Sequence, residues 1–181
     1  MINKEECVIL VALQDELPES LLPEWNIVYT GVGKINATMS IVQAHQKYNP
    51  KLFINYGTAG SLDKSLSGLL PVTIFKQRDM DVTVLGFELG QTPYEDTGTI
   101  SFNEIGYSCG TGDNFVTSEP KVQTQLVDME SYAYAKFCKL NSINFKCYKY
   151  VSDNADENAS KDWKELVGNG ANMFVEFINE N

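Results

Sequence analysis

Arginine and histidine are almost missing from this chain of 181 residues, in which Arg78 is the only arginine and His45 the only histidine. A phosphate site built from several arginine side chains is therefore excluded, because their guanidinium groups supply the paired donors of such a clamp. A cluster of histidine metal ligands and a Ser-His-Asp triad are disfavoured for the same reason. We therefore expect no metal site and no cofactor.

Positive charge is also scarce, with 14 basic against 24 acidic residues and a formal net charge of −10. This balance argues against a nucleic acid or an anionic membrane surface as a partner. The apolar run at residues 8–13 is too short for a signal sequence or a membrane span. No C-x-x-C pair occurs, which predicts reduced, mostly buried thiols in a cytoplasmic protein at Cys7, Cys109, Cys138 and Cys147.

Length and an apolar content of 43% predict one folded domain over residues 1–181. Apolar strand patterns alternate with helical ones, which predicts a three-layer α/β/α domain with a mainly parallel central sheet. One helix is expected over 35–48, with Ile35, Met39 and Val42 facing inward, and another over 160–179.

The stretch from 126 to 156 predicts a strand, a helix over 131–141 and a second strand. A crossover helix places both strand ends at one edge of a sheet, and ligands bind outside that edge in open α/β sheets. We therefore expect Glu130 and Asp153, which lie at these two strand ends, to face one pocket. Alternatively, each carboxylate could cap a helix N-terminus, where unpaired N–H groups favour it.

Two short motifs invite comparison with phosphate chemistry. GVGKIN at 31–36 fits neither the Walker A spacing nor the dinucleotide fingerprint, so it is either a ligand-contacting turn or a simple βα turn. D-x-D-x-T at 79–83 is the nucleophile signature of haloacid-dehalogenase-type phosphatases, which require magnesium. Such a motif should follow an apolar strand near the start of the fold, so this alternative is weak.

The strand ends together supply carboxylates, an aromatic face and small residues, which suits a neutral, polyhydroxylated aromatic ligand such as a nucleoside. Seven segments resemble the purine nucleoside phosphorylase superfamily, and specifically the 5′-methylthioadenosine/S-adenosylhomocysteine nucleosidases. VDMES and SDNAD together are the specific part of this resemblance. In family order, the segments are VALQDE (11–16), GVGKINA (31–37), INYGTAGSL (54–62), RDMDVTVLGFELGQ (78–91), TGDNFV (111–116), VDMESYAYAKFC (127–138) and YVSDNAD (150–156).

The resemblance implies hydrolysis of the N-glycosidic bond of adenine nucleosides such as 5′-methylthioadenosine or S-adenosylhomocysteine, with release of adenine. Asp153 would protonate adenine N7 as the general acid, and Glu16 would activate the attacking water. Breaking this bond builds positive charge on the sugar and negative charge on the base, so it needs a protonated acid and nearby carboxylates. Asp153 should therefore be buried enough to raise its pKa.

The resemblance also implies a substrate-binding set. Glu130 would accept hydrogen bonds from the ribose hydroxyls, while Phe115 would stack on the purine. The other positions are Met129 beneath the ribose, Val116 at the purine edge, Thr58 near the anomeric carbon or the water, and Ser152 beside Asp153.

This chain departs from the family in ways that bear on specificity and assembly. It is shorter than usual, with little between the first strand and GVGK or before GTGDNF, and Lys149 stands where arginine is usual. The alternatives are a related purine nucleosidase or phosphorylase for another 5′ group, such as aminofutalosine or AMP, and a non-catalytic nucleoside-binding module. The resemblance implies a homodimer, and we expect residues 84–100 near its interface because LeuGlyPhe and ProTyr are apolar residues in a loop otherwise expected to be polar.

Overall fold

The computed structural model describes residues 3–95, 98–102, 104–156 and 159–180, with only the backbone of residue 160. The strands are β1 (Cys7–Val11), β2 (Ile27–Tyr29), β3 (Leu52–Ser61), β4 (Leu69–Gln77), β5 (Thr99–Ser101), β6 (Tyr107–Thr111), β7 (Leu126–Asp128) and β8 (Asn144–Asp153). The α-helices are α1 (Lys34–Tyr48), α2 (Ser131–Leu140), α3 (Ala159–Leu166) and α4 (Gly170–Glu180). Short 3-10 turns cover Lys4–Glu6, Glu19–Leu21 and Thr83–Leu85.

The strands form one mixed sheet in the order β2-β1-β3-β7-β6-β4-β5, and β8 pairs with both β3 and β4. Five of the eight strand pairings among the described residues are parallel. The predicted α/β class with a mainly parallel sheet is confirmed. Within the described ranges, no helix combines the length and the apolar character that crossing a membrane would require.

Alternate residues of β1 belong to two separate cores, which shows directly how the layers are arranged. Val8 and Leu10 join the core that contains residues of α1 and α2. Ile9 and Val11 join the core that contains residues of α4. Because successive side chains of a strand point to opposite faces, helices cover the sheet on both sides.

The buried face of α1 differs from the predicted one. Ile35 and Met39 are 77% and 57% exposed, whereas Ala37, Ile41 and Ala44 are buried. The prediction of the inward face is wrong for Ile35 and Met39, whereas Val42 is half-buried. Small alanine side chains instead face the core that α1 shares with α2. The two apolar side chains are left on the outer surface.

The predicted helix over 160–179 is two helices, α3 and α4, with a break at residues 167–169. Gly168 lies in this break, and glycine is the least favourable residue in a helix after proline. The break allows α4 to pack on the sheet, where Phe174 stacks on Tyr56 with ring centroids 4.4 Å apart. It leaves α3 free to follow β8 towards the strand ends.

Candidate active site

One cavity of about 180 Å³ opens where the strand ends converge. The structure brings all eight residues of the expected site to its wall. They come from the loop after β1, from β3, from the segments after β6 and β7, and from the end of β8. These residues are Glu16, Thr58, Phe115, Val116, Met129, Glu130, Ser152 and Asp153.

Glu16 is held by hydrogen bonds on both carboxylate oxygens. Its Oε1 accepts from the Thr58 backbone N–H at 2.7 Å and from Thr58 Oγ1 at 2.8 Å. Its Oε2 accepts from the backbone N–H of Leu13 at 3.1 Å. The side chain is buried, so these three donors replace the water that the carboxylate would otherwise bind. Its orientation towards the cavity is therefore fixed before any ligand arrives.

The register of β8 against β3 changes next to Asp153. Ala59 pairs with Val151 but Gly60 pairs with Asp153, so Ser152 is an extra residue at a β-bulge. A Cβ atom on Gly60 would lie 2.7 Å from Asp153 Oδ1, so only glycine accommodates the carboxyl group at this position. The bulge and Gly60 together bring this carboxyl group against the end of β3.

The carboxyl group of Asp153 is buried, and its partners are local. Oδ1 accepts from the backbone N–H of Ala155 at 2.9 Å, and Oδ2 accepts from Ser152 Oγ at 2.8 Å. Burial raises the pKa of Asp153 above its ordinary value, and the nearby acids Asp162 and Asp156 act in the same direction. The raised pKa favours the protonated carboxyl group, which is the form that can donate a proton.

Glu130 lies beside a buried ion pair. Burial, followed by the negative charge of Asp128, raises the pKa of Glu130 to about 8. Its Oε1 accepts a hydrogen bond from the backbone N–H of Gly33 at 2.9 Å. Burial alone would raise the pKa of Asp128 too, but the ammonium group of Lys149, 2.8 Å away, holds it below its ordinary value. The pKa of Glu130 is therefore raised, whereas that of the neighbouring Asp128 is lowered.

Glu130 does not cap a helix. It occupies the N-cap position of α2, but its side chain makes no capping hydrogen bond. Asp128 takes that role, because its Oδ2 accepts from the backbone N–H of Ser131 at 3.0 Å. The Asp153 carboxylate bonds to the backbone of Ala155, while residues 157 and 158, which precede α3, lie outside the described residues. The helix-cap alternative is therefore wrong for Glu130, and for Asp153 it stays an alternative.

The GVGK turn contacts the site through its backbone. Gly33 donates to Glu130, and the backbone N–H of Lys34 donates to Asp113 Oδ1 at 2.8 Å. Lys34 Nζ also lies 2.5 Å from Asp79 Oδ1, while Asp79 Oδ2 accepts from the backbone N–H of Asp113 at 2.8 Å. Both oxygens of the candidate phosphatase nucleophile are thus engaged in joining two loops. The turn therefore contacts the site, and its contact with a ligand stays a prediction.

The single arginine is a structural residue of the cavity wall. Arg78 Nε donates to the carbonyl oxygen of Gly110 at 3.2 Å, and one of its terminal nitrogens donates to that of Gly112 at 3.1 Å. The other terminal nitrogen donates to Asn114 Oδ1 at 2.7 Å. Its guanidinium donors therefore hold the loop that carries Phe115.

Trp163 of α3 also lines the cavity and was not among the predicted site residues. Apolar side chains of an amphipathic helix normally face the core. Its indole Nε1 instead donates to Thr58 Oγ1 at 2.9 Å. The helix breaks before α4, and this break leaves the Trp163 side chain beside the strand ends. Gly168 is the one local feature of the sequence that indicates the break.

Comparisons with known proteins identify the family of the chain. No protein-family model matches the chain. A 5′-methylthioadenosine/S-adenosylhomocysteine nucleosidase from Staphylococcus haemolyticus is 32% identical, and the match covers 80% of this chain and 75% of that protein. A protein of the same name from Staphylococcus carnosus is 28% identical, with 85% and 79% covered.

Solved structures share the fold at lower identity. A futalosine hydrolase mutant from Helicobacter pylori superposes with a TM-score of 0.86 at 20% identity, covering 96% of both chains. A 5′-methylthioadenosine/S-adenosylhomocysteine nucleosidase from the same organism gives 0.85 at 20% identity, covering 99% of this chain and 98% of the other. These structures show the shared fold, and the relative from Staphylococcus haemolyticus shows that the chain belongs to the 5′-methylthioadenosine/S-adenosylhomocysteine nucleosidase family.

Proposed function

We propose that this protein hydrolyses the N-glycosidic bond of adenine nucleosides such as 5′-methylthioadenosine or S-adenosylhomocysteine and releases adenine. The observation that carries the proposal is the pair of carboxyl groups in one cavity: Glu16, held by three donors, and Asp153, buried with a raised pKa. The nucleosidase from Staphylococcus haemolyticus supports this substrate class.

Asp153 is the proposed general acid. Its raised pKa favours the protonated carboxyl group, which would transfer its proton to adenine N7 as the base departs. Protonating N7 neutralises the negative charge that develops on the base. Ser152 would hold the carboxyl group in place through the hydrogen bond to Oδ2.

Glu16 is the proposed base for the attacking water. Its three donors fix the carboxylate, so little reorganisation is needed when the water loses its proton. Its negative charge would also stabilise the positive charge that develops on the sugar. Thr58, which bonds to Glu16, would lie next to the water and the anomeric carbon.

The remaining residues would bind the nucleoside. Glu130 would accept from the ribose hydroxyls over Met129, and a ligand that stabilises its carboxylate would lower the raised pKa of this group. Phe115 is partly exposed at the cavity and would stack on the purine. The backbone of Val116 would bond to the purine edge.

Water is the proposed acceptor of the glycosyl group rather than phosphate. Arg78 is the only arginine, and its donors are engaged by the 110–114 loop, so no guanidinium group is left for a phosphate ion. We therefore propose that neither phosphate nor a metal or cofactor takes part.

One assay tests this function. Purified protein is incubated with methylthioadenosine, adenosylhomocysteine, adenosine, inosine, aminofutalosine and AMP, with and without phosphate and EDTA, and free base is measured. We expect adenine from the thio nucleosides, unchanged by either addition. Ribose 1-phosphate as a product, or loss of activity in EDTA, would contradict the proposal. Preference for aminofutalosine or AMP would favour a related nucleosidase, and binding without release would indicate a non-catalytic module.

We also propose that residues 1–181 act as a single domain, located in the cytoplasm. Strands from both halves of the chain support one domain, because β1 and β8 flank β3 in the same sheet. The four cysteines are unbonded and buried, which agrees with a reducing compartment.

The proposed assembly is a homodimer. Ile35 and Met39 of α1 are exposed, as are Val84, Leu85 and Tyr94 of the loop expected near the interface. Residues 96 and 97 of that loop lie outside the described residues. The segment before this loop is joined to the start of α1 by the ion pair between Lys34 and Asp79, and the loop itself is joined to α2 by the ion pair between Lys136 and Glu95. A second copy of the chain would cover this apolar surface.

A further inference from the structure

Trp163 and Thr58 form a hydrogen bond whose direction is fixed by chemistry. An indole N–H can only donate, so Thr58 Oγ1 accepts from Trp163 Nε1 at 2.9 Å. A hydroxyl group has one proton, and Thr58 Oγ1 directs it to Glu16 Oε1 at 2.8 Å. The three side chains therefore make a one-way chain that ends on the carboxylate of the proposed base.

This chain determines which oxygen of Glu16 is left for water. Each carboxylate oxygen has two lone pairs, and Oε1 uses both on the backbone N–H and the hydroxyl group of Thr58. Oε2 uses one lone pair on the backbone N–H of Leu13. The remaining acceptor site of Glu16 is on Oε2.

The hydrogen bond of Trp163 also links α3 to the strand ends. It follows the buried Ala159 by four residues, so both lie on the same face of the helix. Asp153 ends the strand that precedes α3, whereas Thr58 and Glu16 belong to β3 and the loop after β1. The indole N–H therefore joins the helix that follows the proposed acid to the proposed base.

We infer that Trp163 is a positioning residue, which acts through Thr58 to hold Glu16 so that Oε2 faces the attacking water. This inference rests on the proposed function. A phenylalanine ring would fill the same side of the cavity but could not donate the hydrogen bond. The contribution of the indole N–H can therefore be separated from that of the aromatic ring.

Trp163→Phe is the test, and Trp25→Phe is its matched control. Trp25 is buried in the core behind β1, and its Nε1 has no hydrogen-bond partner among the described residues. We expect Trp163→Phe to lower kcat by about 3- to 10-fold, the effect of losing one hydrogen bond, with little change in KM. Trp25→Phe should keep wild-type kcat and KM.

The split between kcat and KM distinguishes positioning from simple packing. Loss of the indole N–H changes how Glu16 is held but leaves the aromatic wall of the cavity, so kcat should fall while KM stays near the wild-type value. An unchanged kcat in Trp163→Phe would overturn the inference.

Two further readouts test the route through Thr58. In a Thr58→Val background, Trp163→Phe should cost less than about 2-fold, because coupled residues are not additive. Full additivity would overturn the inference. The chain has two tryptophans, so in Trp25→Phe the emission reports Trp163 alone, and adding Thr58→Val should shift it. Unchanged emission would contradict the hydrogen bond itself. If the wild type released no base, the proposed function would fail, and the catalytic part of the inference with it, whatever the emission showed.

Discussion

Lys149 Nζ lies 2.8 Å from Asp128 Oδ2 in a part of the protein closed to solvent, with Lys149 only 1% exposed. The same ammonium group is close to Glu16, since a Cβ atom on Gly57 would lie 3.3 Å from Lys149 Nζ and 3.2 Å from Glu16 Oε1. Asp128 also accepts from Thr111 Oγ1 at 2.6 Å. The buried ammonium group of Lys149 therefore lies among several acidic side chains beneath the cavity.

Removing the ammonium group of Lys149 should strongly destabilise the protein. We expect Lys149→Met to lower the free energy of unfolding by about 3–5 kcal/mol, because Asp128 would be left buried without its counter-ion. Urea unfolding at pH 7 measures the change. Lys121→Met is the control, since Lys121 and its partner Asp81 are both exposed, and it should unfold like the wild type. Equal midpoints for the two variants would contradict the structural role of Lys149.

The fold was largely predictable because its strands are apolar runs that end in glycine and acidic residues. The residues at the strand ends also predicted the cavity, because parallel strands bring their carboxyl ends to one edge of the sheet. The ion pair between Lys149 and Asp128 depends on how β7 and β8 are arranged around β3, which no local pattern encodes. The inward face of α1 was predicted incorrectly, because the side chains that pack towards α2 include alanines, while Ile35 and Met39 lie on the outer surface.

Glu130 should make stability fall as pH rises. Its pKa is about 8 in the folded protein, against about 4.3 in an unfolded chain, so between these values the folded state binds more protons. The free energy of unfolding therefore decreases through that range. We expect Glu130→Gln to lack this decrease and to gain on the wild type by a few kcal/mol, to order of magnitude, between pH 5 and about pH 8.

Urea titrations at several pH values would measure the difference between Glu130→Gln and the wild type. Glu176→Gln, an exposed position on α4, is the control and should give a curve parallel to that of the wild type. A difference between Glu130→Gln and the wild type that stays constant with pH would show that Glu130 ionises normally in the folded protein.

Asp153→Asn should remove turnover but preserve the fold. An amide can donate a hydrogen bond to N7 but cannot transfer a proton, so we expect a loss of at least about 10²–10⁴-fold in kcat. Binding of an adenine nucleoside, measured by calorimetry, should survive better. The wild type should prefer adenine bases to hypoxanthine. Its activity should fall as pH rises through the raised pKa of Asp153, because the carboxyl group then loses its proton.

Asp15→Asn is a matched control for this variant, because Asp15 is an exposed acid next to Glu16. It should hydrolyse the substrate as the wild type does. Retention of more than about a tenth of wild-type kcat in Asp153→Asn would mean that another group supplies the proton.

The apolar surface on α1 should join two copies of the chain. Light scattering at micromolar concentration should report a dimer for the wild type and a monomer for Ile35→Glu/Met39→Glu, because two buried carboxylates would lack partners at the interface. Leu140→Glu changes an exposed apolar residue at the end of α2 and should remain dimeric. A monomeric wild type would refute the proposed assembly.

The bulge at Ser152 means that the proposed acid owes its direction to the number of backbone residues before it. A β-bulge bends its strand and re-aims the side chains beside it, so deleting Ser152 would restore the regular ladder and remove this bend, with Asp153 still paired with Gly60. Gly60 is matched to the present geometry, since it leaves room for Asp153 Oδ1. Deleting Ser152 would therefore change the direction of the proposed acid while its chemistry stayed the same.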